Sequence, residues 1–142
     1  MTTTKREPRK VRSLRRRTAH HADRARKAST PAERFRAAQD ALLSAVTHSR
    51  GPGRAAREQY AEISEHVRRV LERAEPNPAS AALYDSKLNQ SGTDFARLGN
   101  ALMCLRGAIS LLSEAERDRL FEHYARHLGE EAQRIDAEGG DR

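Results

Sequence analysis

Arginine and lysine crowd one end of this 142-residue chain. Among residues 1–28, eleven basic side chains (Lys5, Arg6, Arg9, Lys10, Arg12, Arg15, Arg16, Arg17, Arg24, Arg26 and Lys27) face two acidic ones, Glu7 and Asp23, a local charge of +9. The other residues carry 16 basic and 18 acidic side chains, a net of −2, so the total of +7 belongs to one end. Guanidinium groups stay charged and bind phosphate oxygens in pairs, so the chemistry written here is attachment to a polyanion. The first Phe, Tyr or Trp is Phe35, which leaves the segment no such ring on which bases could stack. Contact with nucleic acid, DNA or RNA, would therefore run through phosphates or a groove and carry little sequence information. Arg9, Lys10, Arg12, Arg15, Arg16, Arg17, Arg24, Arg26 and Lys27 are the expected contact residues. Docking on an acidic protein partner is the competing use of the same charge.

Other constellations are weaker. His123 and His127 lie four apart beside Glu122, but the order Glu-His-x-x-x-His lacks the Glu of a His-Glu-x-x-His metal motif and offers no third ligand. Glu62 and His66 form a local helical pair without the Glu-x-x-His spacing of di-iron bundles. These histidines are read as surface residues, and no metal or other cofactor is expected. The lone Cys104 excludes an internal disulfide and has no marked catalytic partner, while no Gly-x-Ser-x-Gly or phosphate loop occurs, so no catalytic residue is assigned. Arg50-Gly51-Pro52-Gly53-Arg54 could enter a minor groove or simply connect helices. Ser80–Cys104 has a helix-turn-helix outline, but its second helix is the most apolar of the chain and begins with Asp94, which phosphate would repel, so Arg97 and Asn100 are not taken as a reading head.

The elements positioning these residues are helices. With charged residues at 33%, hydrophobic residues at 37% and no Trp, one core of aliphatic side chains is all the chain can build, and a large aromatic pocket is excluded. The basic start is not followed by the apolar run of a secretory signal, and the most apolar stretch, Leu98–Leu112, is too short for a membrane span and contains Arg106. The lone cysteine points to a reducing, cytoplasmic setting.

Thr30-Pro31-Ala32-Glu33 should cap a first helix, with Glu33 completing a capping box and Phe35, Ala38, Leu42 and Ala45 forming its apolar stripe. After the Gly-Pro-Gly break, Ala56, Tyr60, Ile63, Val67, Val70 and Ala74 follow a heptad-like spacing, opposite a charged face that includes a Glu65–Arg69 pair. The short connector predicts an antiparallel hairpin of these two helices. Asn77-Pro78 should open a weaker helix to about Gln90. Thr93 or Ser91 caps the central core helix, whose face is Phe95, Leu98, Leu102, Leu105, Ile109 and Leu112, and whose Ala96, Gly99 and Gly107 allow close approach. Ser113-Glu114-Ala115-Glu116 opens a last helix that ends at Gly129 or continues through Ala132 and Ile135, fraying after Glu138.

The sequence thus predicts an all-α protein: a compact bundle of about five helices over residues 29–142, preceded by a flexible Arg-rich arm over residues 1–28. The expected function is non-enzymatic: an accessory or regulatory nucleic-acid-binding protein whose arm contacts phosphates and whose helical domain mediates dimer or partner contacts. The alternative is a helical protein-interaction adaptor or inhibitor. A homodimer is left open.

Overall fold

The computed structural model of the chain describes His20, His21, Asp23, Arg24 and residues 27–140. It is all-α, and the described residues contain no strand. Among the described residues, five helices from Pro31 onward follow one another: α1 (Pro31–His48), α2 (Pro52–Ala74), α3 (Pro78–Leu88), α4 (Asp94–Ser110) and α5 (Glu114–Gly140). His20, His21, Asp23, Arg24 and Lys27, which the sequence assigns to the arm, also have helical backbone.

The helix starts follow local chemistry. Thr30 accepts the Glu33 N–H, Asn77 that of Ser80 and Thr93 that of Ala96, while Pro31, Pro52 and Pro78 occupy first positions where a missing N–H costs nothing. The Glu33 carboxylate reaches Ser29, accepting from its backbone N–H and its hydroxyl at 3.3 and 3.1 Å, one residue before the position a capping box would use. At the far end of α2, Glu75 takes a left-handed conformation with φ 48°, where glycine would be the unstrained residue. Gly129 does not stop α5. Leu128, Ala132 and Ile135 on the same stripe are all buried, and that burial outweighs the ~1 kcal/mol propensity cost of one glycine. The helix continues to Gly140, beyond the predicted fray point.

Ion pairs between helices fix their directions. Arg34 of α1 pairs with Glu122 near the start of α5, and the end of α1 lies against the end of α5, where Ser49, Ile135 and Glu138 line one cleft. The two helices are parallel. Arg73, at the end of α2, meets Glu116 at the start of α5, so α2 is antiparallel to both. Arg57 pairs with Asp94, and Tyr60 bonds Arg97, which sets α4 parallel to α2. The first two helices are thus antiparallel, as the short connector predicts, but they are minor packing partners. The main pairs are α1 with α5 and α2 with α4. Connector length sets which ends meet; the facing apolar stripes decide which helices pack.

The segment from Glu75 to Thr93 carries the chain back along the α2–α4 pair. Within it α3 docks on α4, with Leu88 buried and the Tyr84 ring against Gly107, where an added Cβ would come within 2.8 Å of the Tyr84 hydroxyl. Close approach is real at Gly107 and absent at Gly99, which has nothing within 4 Å. The core joins Phe35, Leu42, Ile63, Val67, Leu98, Leu102, Leu105, Ile109 and Leu128, all at 0% exposure, and the Phe35 and Phe121 rings meet at 5.3 Å. Phe95 departs from its predicted face. It is 44% exposed, at the first turn of α4 where the helix has just begun. Likewise Glu65 pairs with Arg68 at 3.5 Å instead of the expected Arg69.

Candidate functional site

Two of the nine arm residues fall among the described positions. The Arg24 guanidinium donates to the Asp40 carboxylate at 3.1 Å, and Lys27 pairs with Asp23 at 2.9 Å. Arg9, Lys10, Arg12, Arg15, Arg16, Arg17 and Arg26 lie outside the described residues. The junction between arm and bundle is held by Arg34, whose guanidinium donates twice to Glu122 at 2.9 and 2.8 Å and once to the Ala28 carbonyl at 2.7 Å. One partly buried side chain thus ties the segment before α1 to α5.

The other polar positions singled out in the sequence have structural occupations. Arg97 lies over the Tyr60 ring, 4.3 Å from its centroid, and donates to the Tyr60 hydroxyl at 3.0 Å, while that hydroxyl donates to the Leu88 carbonyl. This links α2, α3 and α4 through the Arg97 guanidinium and the Tyr60 hydroxyl. Arg106 is exposed, as is Lys87. Cys104 is buried, and burial pushes its thiol above the usual range despite the opposing pull of Lys87; a reactive thiolate is not favoured there.

Arg50, Gly51 and Arg54 line a cleft of about 440 Å³ with Glu58, Gln59, Arg134 and Glu138. Its charges largely answer one another: Arg54 bonds Glu58 at 3.1 Å, and Arg134 reaches both Glu131 and Glu138. In its wall the buried Gln59 amide donates to Glu131 at 3.1 Å. The hydrogen bond from Arg134 leads in holding the Glu131 carboxyl below its usual range; burial opposes it and Gln59 adds to it. A depressed carboxyl pKa contributes stability that is present above the ordinary value of 4.5 and is lost as pH falls through the lower folded-state value. Glu131→Gln should therefore flatten the acid limb of the stability curve, as read from urea midpoints between about pH 3 and 6. An acid limb as steep as that of the parent chain would exclude this source.

The cluster that sequence reasoning missed lies between α2 and α5. Antiparallel packing carries the Glu62–His66 pair of α2 to His127 of α5, and the three offer ligand atoms all within 4.8 Å of one another. His127 Nε2 is 2.6 Å from Glu62 Oε1, and His66 Nε2 is 3.8 Å from the same oxygen. The other His66 nitrogen, Nδ1, is 3.0 Å from the Tyr124 hydroxyl. Burial, then the neighbouring His127, pushes the His66 imidazole below its ordinary range against the pull of Glu62. The Tyr124 phenol is raised by burial and stays protonated. His123 stands outside the cluster, exposed and edge-on to Tyr124. The signal in the sequence was the placement of Glu62 and His66 beside Ile63 and Val67, and of His127 beside Leu128, at the margins of two apolar stripes.

No described helix is long and apolar enough to cross a membrane. Comparison with protein-family models, curated proteins and solved structures finds no match to this chain.

Proposed function

We propose that the protein is a non-enzymatic, accessory or regulatory nucleic-acid-binding protein of a reducing, cytoplasmic compartment. The arm contacts phosphates, and the helical domain carries dimer or partner contacts. The observation that carries this reading is the division of charge. Within the bundle, carboxylates and cations answer one another in pairs such as Arg34–Glu122, Arg57–Asp94, Arg73–Glu116 and Arg134–Glu138. Residues 1–28 hold eleven cations against two carboxylates, so the unbalanced charge lies outside the bundle. The outward side of α4 supports the second role, since Phe95 and Met103 are exposed on it, with Gly99 between them.

Counterion release provides the test. If about six arm residues meet phosphates on duplex DNA, log K falls against log salt with a slope of about −5. A chain lacking residues 1–27 keeps the Ala28 carbonyl that Arg34 holds and should show a nearly flat dependence. The same slope in both chains would place binding in the bundle. Absence of binding to DNA or RNA at low salt by the intact chain would overturn the proposal in favour of an adaptor that docks on an acidic protein.

A further inference from the structure

We propose that Glu62, His66 and His127 form a binding site for a divalent ion of the zinc class, tying α2 to α5. Two imidazoles and one carboxylate are a donor set suited to zinc and its neighbours among the later first-row metals. The ligands come from two helices, and their positions need adjustments on the order of 1 Å. Donor atoms around a tetrahedral ion at ~2.1 Å stand about 3.4 Å apart. His127 Nε2 and Glu62 Oε1, at 2.6 Å, must open by roughly 0.8 Å, His66 Nε2, at 3.8 Å from that oxygen, must close by roughly 0.4 Å, and the two imidazoles, whose ligand atoms lie within 4.8 Å of each other, must close by up to about 1.4 Å. All three side chains keep part of their surface in solvent, so rotamer shifts supply the change and water takes the fourth position.

A second observation points the same way. Ligation through His66 Nε2 requires the ring proton on Nδ1, and the Tyr124 hydroxyl, at 3.0 Å, is placed to accept it in that tautomer. Metal-bound histidines generally give their other N–H to an oxygen, commonly of a carboxylate, backbone carbonyl or water, which fixes ring and tautomer; the phenol oxygen takes that place here. The ion would replace the close Glu62–His127 contact with a bond to each partner and join the middle of α2 to the middle of α5. These two helices otherwise touch through long side chains such as Gln59–Glu131 and Arg73–Glu116.

The test is titration of chelator-treated full-length protein with Zn²⁺ alone, followed by calorimetry and thermal unfolding, and with Co²⁺ followed by visible absorption. One ion per chain is expected, with Tm raised by roughly 10 °C when Zn²⁺ is a hundredfold above Kd and with the cobalt bands of a four-coordinate site. Glu62→Gln and His127→Gln, both on partly exposed side chains, should each weaken binding at least tenfold, and Tyr124→Phe by about tenfold. His123→Ala should leave affinity unchanged. Failure to bind stoichiometrically, or binding that survives Glu62→Gln, would overturn the site. A loss with His123→Ala as large as that with His127→Gln would assign the metal to the single-helix histidine pair instead, which also overturns it.

Discussion

Replacing Arg9, Lys10, Arg12, Arg15, Arg16 and Arg17 by glutamine is expected to lower affinity for duplex DNA by about four to five orders of magnitude at 0.1 M salt. With six phosphate contacts, log K changes by about 5.4 for each tenfold change in salt, so if these six side chains make the contacts, nearly all the electrostatic gain at 0.1 M relative to 1 M is lost with them. Arg24 and Lys27 would not make up the loss, because Asp40 and Asp23 already offset their charge. Lysine at Arg15, Arg16 and Arg17 should retain most of the binding if the arm acts as diffuse charge, and lose much of it if paired guanidinium bonds are needed. Fluorescence anisotropy at several salt concentrations separates these outcomes. A glutamine variant within threefold of the parent would remove the arm from the binding mechanism.

Phe35→Ala should cost about 3–5 kcal/mol of folding free energy. Its ring is fully buried against Phe121 where α1 meets α5, and alanine would leave a cavity that neighbouring helices close only in part. Phe95→Ala should cost less, about 1–2 kcal/mol, because 44% of that residue stays in water and its loss leaves no enclosed cavity. Urea unfolding of both variants measures the difference, and equal costs would refute the assigned core.

That contrast also marks the limit of what the sequence could say. Thr30-Pro31, Asn77-Pro78 and Thr93 identify helix starts because a cap acts over three or four residues. The stripes of α1, α2 and α4 were equally legible. Phe95 matches the periodicity of Leu98 and Leu102 but sits where the helix begins, and periodicity carries no information about what lies beyond the cap. Nor does it say that α1 packs mainly on α5 and not on the helix joined to it. The same gap hid the Glu62–His66–His127 cluster. Each local pair was visible, and only the antiparallel passage of α2 along α5 brings them together. The seven arm residues outside the described positions were read from charge alone, and their assignment rests on that charge.

The nesting of the helix pairs has a consequence for the order of assembly. About 19 residues separate α2 from α4, whereas about 65 separate α1 from α5. Closing the longer loop from an unfolded chain costs roughly 1 kcal/mol more in entropy than closing the shorter one. Once α2, α3 and α4 have come together, however, most of the intervening chain is already compact, and α1 and α5 need only meet across it. The inner unit should therefore form first and the outer pair close over it. In that sequence of events, the contacts between Phe35 and Phe121 and between Arg34 and Glu122 are made late, so weakening them would mainly speed unfolding and leave the folding rate nearly unchanged.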